Sequence, residues 1–122
     1  MRISGFSFMR NTSKLYYPFV ESILSVLPVV DEFVVALGKG DSDDQTEAQL
    51  RAVTSDKLKI IHTEWDVARY PRGMVYAQQT DLAKQACTGD WLLYLQSDEL
   101  IHERYHEVLT NVCSLYLEDV KT

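Results

Sequence analysis

The sequence predicts an α/β fold, a Rossmann-like parallel sheet with helices on both faces, and two observations support this prediction. Apolar periodicity alternates along the chain between short β-type runs and helix-type stripes. Two of the β-type runs, residues 33–37 and 91–95, are continuously apolar, which is typical of strands buried on both faces. Strands that alternate with helices of this length form right-handed βαβ units, and such units build a parallel sheet.

The first unit is a strand at residues 2–9 and an amphipathic helix at residues 14–27. The helix is predicted from apolar residues that recur at i, i+4, i+5, i+8 and i+9. Pro18 is compatible only with the start of this helix, and Pro28 ends it. Three polar residues ahead of the helix can cap its N-terminus: Asn11, Thr12 and Ser13.

The remaining elements follow in the same alternation: strand 29–37, helix 44–54, strand 57–63, helix 74–87, strand 91–95 and helix 99–118. The loop from Gly38 to Asp44 is rich in turn-forming and helix-capping residues, and residues 70–73 form a turn. Gly89 marks the C-terminal end of the third helix. The last helix is expected to pack through one apolar stripe: Ile101, Tyr105, Val108, Val112 and Leu115.

Length and composition indicate one globular domain over residues 1–122, with 46% apolar and 25% charged residues. No apolar run approaches the roughly 20 residues of a membrane span, so no transmembrane segment is expected. Cys87 and Cys113 are the only cysteines, which favours free thiols, a reducing compartment and a cytoplasmic location. The net charge of -6 disfavours a nucleic-acid partner.

Polar loops follow three of the predicted strands, at the edge where open parallel sheets bind their ligands. They are Arg10-Asn11, Gly38 to Asp44, and Gln96 to Glu99. A purely structural explanation exists for the acids of the second loop, because acids and serine cap helices well. Asp98, directly after a buried strand, can equally reach solvent, cap a helix or bind a ligand.

Three segments together resemble the family 2 glycosyltransferases, which have the GT-A fold. FSFMRN at residues 6–11 is similar to the family's first strand and its Arg-Asn end. VDEFVVALGKGDSDDQT at residues 30–46 is similar to its acid, second strand and Asp/Gly/Ser-rich loop. ACTGDWLLYLQSDE at residues 86–99 is similar to its Gly-Asp, strand and Asp-x-Asp-Glu motif, and order and spacing fit to about residue 105.

The resemblance implies that the chain is the N-terminal, donor-binding half of a GT-A domain, with a nucleotide diphosphate sugar as its partner. It also implies a divalent cation, Mg²⁺ or Mn²⁺, held by Asp98, because such a cation neutralises the leaving diphosphate. The family's catalytic base and acceptor site lie in the half that follows, so no base is assigned. The residues implied at the nucleotide sugar are Arg10, Asn11, Gly38, Asp41, Arg72, Gln96 and Ser97.

The chain departs from the family pattern at three places. Gln96 stands where the family has the first Asp of Asp-x-Asp, so this position contributes no charge. Gly38 follows Leu37 where the family has an acid at the end of the second strand, and Asp41 is the candidate replacement. Thr80 and Asp81 stand for an Arg-Asn pair of the third helix, and Arg72 is the candidate substitute.

A second pattern competes for the end of the chain. HERYH at residues 102–106 matches H-E-x-x-H, in which a helix places two zinc-binding histidines on one side. A catalytic zinc needs a third protein ligand, and the longer metzincin pattern fails at Leu109 and Val112. We therefore interpret His102 and His106 as the flank of a packing helix.

The function expected from the sequence is transfer of a sugar from a nucleotide sugar to an unidentified acceptor, with this chain supplying the donor site. An enzyme is favoured, although this chain alone can be inactive. Two alternatives are a nucleotide-binding module without transferase activity and an unrelated α/β domain whose acidic loops only cap helices.

Overall fold

The computed structural model describes the backbone of residues 1–121 and the side chains of residues 1–115. Four parallel strands form one sheet in the order β3-β2-β1-β4, which confirms the predicted α/β fold. No helix within residues 1–121 is long and apolar enough to cross a membrane. The elements are β1 (Ile3–Met9), α1 (Phe19–Val26), β2 (Glu32–Gly38), α2 (Thr46–Arg51), β3 (Leu58–Thr63), α3 (Met74–Gln85), β4 (Trp91–Tyr94), a 3-10 turn (Glu103–Tyr105) and α4 (His106–Lys121).

Strand β2 lies at the centre of the core, and every one of its residues is buried. Its side chains alternate between the two faces of the sheet, as the pleat of a strand requires. Phe33 and Val35 join an apolar cluster with α1 and with Cys113 of α4 on one face. Val34 and Ala36 join a second cluster with α3 on the other face. Helices therefore cover both faces, as the continuously apolar run predicted.

A buried carboxylate connects the strands at the amino edge of the sheet. Glu32, the first residue of β2, is fully buried. Its Oε1 accepts a hydrogen bond from Lys59 Nζ of β3 at 2.6 Å, and its Oε2 accepts one from Ser4 Oγ of β1 at 2.5 Å. The backbone N–H and hydroxyl of Thr88, which leads into β4, donate to the same Oε2 at 2.6 and 2.8 Å. Arg2 adds an ion pair at 3.5 Å.

These contacts keep Glu32 ionised. Burial alone would raise the pKa of Glu32, but hydrogen bonds from Lys59, Ser4 and Thr88 outweigh it and hold the pKa well below its usual range. A carboxyl whose pKa is lower in the folded state stabilises the fold above its unfolded pKa of about 4.3. This contribution is lost as the pH falls through the lower, folded-state pKa.

Gly89 belongs to the same edge and does not cap α3, which ends at Gln85. Its backbone N–H donates to Ser4 Oγ at 2.8 Å. An added Cβ would lie 2.6 Å from Ser4 Oγ and 2.9 Å from the Arg2 carbonyl oxygen, closer than side-chain atoms pack. Glycine is therefore required because β1 and the chain entering β4 approach each other closely.

Helix α1 is shorter than predicted and begins at Phe19. Tyr16 has a φ of 62°, and Pro18 disfavours a helical conformation at the residue before it. Leu15, expected in the apolar stripe, is 56% exposed. The polar residues Asn11, Thr12 and Ser13 therefore do not cap this helix. They belong to a looped segment in which the N–H of Leu15 donates to the Asn11 carbonyl oxygen at 2.9 Å.

The end of the chain differs most from the prediction, because α4 begins at His106. Residues 99–102 are not helical, since the backbone N–H of Ile101 donates to Ser25 Oγ of α1 at 3.1 Å. The face of α4 that packs against the core is therefore not the predicted one. Leu109 and Cys113 pack against the core, whereas Val108 is 57% exposed. Of the other predicted stripe residues, Ile101 packs against the core, whereas Tyr105, Val112 and Leu115 are largely exposed.

Strand β4 is less buried than its apolar sequence indicated. It pairs only with β1 and forms one edge of the sheet. Leu92 is consequently 39% exposed.

We predict that Glu32→Gln lowers the free energy of unfolding by about 3 kcal/mol, because an amide cannot accept all the buried hydrogen bonds that Ser4 and Thr88 donate to the carboxylate. Urea unfolding at pH 7 measures this loss. The variant should also lose part of the acid sensitivity of the wild type between about pH 4.3 and pH 2, because Gln does not titrate.

Glu47→Gln is the matched control, since Glu47 forms an exposed ion pair with Arg51 Nη2 at 2.7 Å. It should change the free energy of unfolding by no more than about 0.5 kcal/mol. Equal losses for the two variants would show that the buried contacts of Glu32 do not hold the sheet together.

Candidate functional site

The carboxyl edge of the sheet gathers the loops that follow the four strands. Because β1 and β2 pair in register from Ser4 and Glu32 to Met9 and Leu37, they end at the same level. The loop after β1 therefore lies beside the loop after β2. The segments after β3 and β4 flank this pair, so residues distant in sequence meet here.

Asn11 joins the first two loops. Its side chain is buried, and its Oδ1 accepts a hydrogen bond from the backbone N–H of Asp41 at 2.9 Å. Asn11 has a φ of 56°, a left-handed conformation that asparagine tolerates better than most residues. The geometry shows that Asn11 positions the acidic loop. A contact of Asn11 with a nucleotide stays a prediction.

Asp44 supports the loop and the start of α2. Its Oδ1 accepts a hydrogen bond from Thr46 Oγ1 at 2.8 Å. The Thr46 hydroxyl oxygen in turn accepts from the Ser13 backbone N–H at 3.0 Å and lies 3.2 Å from Thr12 Oγ1. Asp44 therefore has a structural role, although the N-cap position of α2 is Gln45 and no side chain caps the helix there.

The side chains of Lys14 and Arg10 lie close to the Asp41 carboxylate. Lys14 Nζ donates to Asp41 Oδ2 and to Asp43 Oδ1, each at 3.0 Å. Arg10 Nη2 lies 4.0 Å from Asp41 Oδ1. The hydrogen bond from Lys14 holds the pKa of Asp41 below its usual range. Asp41 is therefore ionised and already neutralised by a lysine that the sequence analysis did not select.

Two cavities open at this edge. The first, of about 500 Å³, lies at the ends of β2 and β3, and Gly38 and Asp41 line it. The second, of about 570 Å³, lies between the ends of β1 and β4 and helix α3. Both have the size of a small-molecule site. The second cavity collects most of the predicted residues: Arg10, Asn11, Gln96, Ser97 and Asp98.

Arg72 differs from the other predicted site residues in its position. It precedes α3, has a φ of 58° and is exposed. It lines neither of the two cavities. The role of Arg72 as a substitute for the missing arginine of the third helix therefore stays a prediction.

The loop after β4 presents one carboxylate to the second cavity. Glu99 Oε1 accepts a hydrogen bond from the Gln96 backbone N–H at 2.8 Å, which turns that carboxylate back on its own loop. Asp98 is exposed, lines the cavity and forms no hydrogen bond with another described side chain or backbone group. Asp98 is thus the carboxylate of this loop that remains available to a ligand.

An aromatic wall, formed by Phe8, Trp65 and Tyr76, was missed by sequence reasoning. The ring centroids of Trp65 and Tyr76 lie 5.5 Å apart, and those of Phe8 and Tyr76 lie 5.7 Å apart. The guanidinium of Arg10 lies 5.4 Å from the centre of the Trp65 ring. The available signal was the position of Trp65 just after β3, the one strand whose following loop the sequence analysis did not consider.

The zinc-protease geometry is not formed. His102 lies before the helix in an extended conformation, and its Nδ1 accepts a hydrogen bond from the Arg104 backbone N–H at 3.1 Å. His106 is the first residue of α4, and its Nε2 lies 2.7 Å from the Ser25 carbonyl oxygen. The two rings are engaged by different partners and do not share one helix face, because residues 99–102 are not helical.

No protein-family model matches the sequence, and no curated protein matches it. Among solved structures, the chain is similar to S. aureus TarS 1–349, with a TM-score of 0.64 and 20% identity over 97% of this chain. It is also similar to S. aureus TarS, with a TM-score of 0.66 and 19% identity over 95% of this chain. For TarS 1–349 in complex with UDP, the TM-score is 0.63 and the identity 22% over 97% of this chain.

This similarity shows a shared fold. The chain spans 33%, 20% and 32% of the length of these three TarS chains, respectively. The parallel α/β architecture is therefore common to this chain and to one part of TarS.

We predict that Asn11→Gly, which keeps the positive φ but removes the side-chain hydrogen bond to Asp41, costs about 1 kcal/mol of unfolding free energy. Asn11→Ala should cost about 1 kcal/mol more, because alanine is strained at this φ. Urea unfolding of both variants measures the difference. Identical losses would show that the left-handed conformation is not a constraint.

Proposed function

We propose that this chain binds the nucleoside diphosphate part of a nucleotide sugar, as the donor-binding half of a glycosyltransferase. One observation carries the proposal. The second cavity brings together Arg10, Asn11, Gln96, Ser97 and Asp98, which come from two distant segments that resemble family 2 glycosyltransferases. A chain of the same fold, TarS 1–349, is described in complex with UDP, which supports a nucleotide as the class of ligand.

The polar groups of this cavity suit such a ligand. Arg10 offers a guanidinium, which is the preferred side chain for phosphate oxygens. The Gln96 amide and the Ser97 hydroxyl can exchange hydrogen bonds with ribose or sugar hydroxyls. Phe8 and Tyr76 of the aromatic wall line the cavity and supply the apolar surface that ring-shaped ligands require.

The donor set also fits a divalent cation that is shared with the ligand. Asp98 supplies one carboxylate, and Ser97 and Gln96 supply neutral oxygens at the same loop. Mg²⁺ and Mn²⁺ accept such hard oxygens and complete their shell with phosphate oxygens and water. A cation bound here would neutralise the charge on the diphosphate. One carboxylate does not make a closed protein cage, so we propose a cation that binds together with the nucleotide.

Sugar transfer itself is a proposal about the whole protein. Transfer requires an acceptor site and a group that takes the acceptor's proton, and we assign neither to the described residues. A nucleotide-binding module without transfer is the second candidate, and Gln96 favours it, because the position lacks the carboxylate of the family pattern. An assay for hydrolysis of the nucleotide sugar by the whole protein separates the two candidates.

We predict that UDP or GDP binds with higher affinity in the presence of Mn²⁺ than without it. We expect Mn²⁺ to raise the nucleotide affinity about tenfold or more. Asp98→Ala should remove this gain, because it deletes the charged oxygen ligand. Gln96→Asp should enlarge the gain by adding a second carboxylate. Isothermal titration calorimetry of each variant, with and without Mn²⁺, measures these changes.

Asp56→Ala is the control, because it removes one exposed negative charge ahead of β3, at the opposite edge of the sheet. Its nucleotide affinity should match the wild type. Failure of the wild type to bind either nucleotide, with or without Mn²⁺, would refute the proposal and favour an α/β domain whose acidic loops serve only structure.

A further inference from the structure

We propose that Trp65 is a positioning residue, whose indole ring holds the Arg10 guanidinium where it can bind the phosphates of the ligand. The inference rests on the proposed function, since it assigns a role within the same cavity. The inference goes beyond the proposed function because it names a residue that no sequence pattern singled out.

The Arg10 side chain is held along its length. Its Nε donates to the Lys39 carbonyl oxygen at 3.1 Å. Its guanidinium lies 5.4 Å from the centre of the Trp65 ring, within the range of a cation–π contact. Asp41, at 4.0 Å, is at the limit of an ion pair and already accepts a hydrogen bond from Lys14. The nearby carboxylate therefore does not saturate the guanidinium.

The terminal nitrogens of Arg10 remain available. Neither Nη atom donates a hydrogen bond to any residue that the structure describes, while the side chain is 36% exposed. A guanidinium with its Nε bonded and its Nη groups open presents donors that match two oxygens of one phosphate. Because the same cavity contains Asp98, a cation at Asp98 and the Arg10 guanidinium could both reach one diphosphate.

The end of β2 leaves room for the indole ring of Trp65. Its Nε1 is buried and has no hydrogen-bond partner among the described residues, and such a group is costly. An added Cβ on Gly38 would lie 2.5 Å from this Nε1. The end of β2 therefore needs glycine to admit the indole.

The indole is fixed on its other sides. Its centroid lies 6.0 Å from that of Phe8 and 5.5 Å from that of Tyr76, which meets it nearly edge-on at 76°. A ring that is packed in this way has few orientations, so it can fix the guanidinium against it. Without the ring, Arg10 would keep its bond to Lys39 but lose the constraint on its Nη groups.

The experiment compares UDP with uridine, which lacks the phosphates, by calorimetry and by NMR titration. Trp65→Leu should weaken UDP binding about fivefold and change uridine binding less than about twofold. Trp65→Phe keeps a π face and should restore UDP affinity to within about twofold of the wild type. Trp91→Leu is the matched control, because Trp91 also has a buried, unpartnered Nε1 but lies at the amino end of β4. It should leave the ratio of UDP to uridine affinity unchanged.

A double-mutant cycle tests the route through Arg10. Arg10→Ala should weaken UDP binding about thirtyfold, and adding Trp65→Leu should weaken it no further than about twofold. Independent, multiplied losses would overturn the positioning role while leaving the proposed function intact. Equal losses of UDP and uridine would overturn it too. If the wild type binds no nucleotide, both the proposed function and this inference fail.

A second readout does not depend on the folding of Trp65→Leu. In a Trp91→Phe background, Trp65 is the only tryptophan, so its fluorescence reports its own surroundings. Arg10→Ala should change its emission before any ligand is added and should suppress its response to UDP. Emission that is insensitive to Arg10→Ala would show that the two side chains are not in contact, and would overturn the inference.

Discussion

A fully buried carboxylate needs a hydrogen-bond donor for each of its oxygens. The donors to Glu32 come from the neighbouring strands on both sides and from the segment that leads into β4. Ser4 belongs to β1, Lys59 to β3, and Thr88 to the segment that leads into β4. These partners meet the carboxylate only when the strands stand in one register. The hydrogen bonds at the amino edge therefore act on alignment as well as on stability, because a slipped strand would leave a buried charge without compensation.

The alignment of one edge determines the geometry of the other. Parallel strands that start level and run for similar lengths end level, so the loops after β1 and β2 meet at the carboxyl edge. The two edges then differ in how their charges are satisfied. Glu32 is enclosed by its donors, whereas Asp98 and the Nη groups of Arg10 have no hydrogen-bond partner among the described residues. Polar groups that the fold does not use are the ones available to a ligand.

The sequence predicted the sheet well because its signals are local. A continuously apolar run reports burial on both faces, and the alternation of strands with helices leaves few parallel topologies. It predicted the helix boundaries less well. Apolar residues from Leu15 onward fit a helical stripe, but Pro18 and the left-handed Tyr16 delay α1. At the other end, the hydrogen bond from Ile101 to Ser25 delays α4 and rotates its buried face.

The sequence by itself determined the order of strands and helices, the edge of the sheet at which the polar loops gather and the segment that carries Asp98. Each follows from patterns within a few residues, which is the range over which periodicity and turn chemistry act. The tertiary structure alone decided that Trp65 lies against Arg10 and Gly38, and that the two histidines of HERYH have separate partners. Such contacts depend on the distance between elements far apart in the chain, and no local pattern contains that distance.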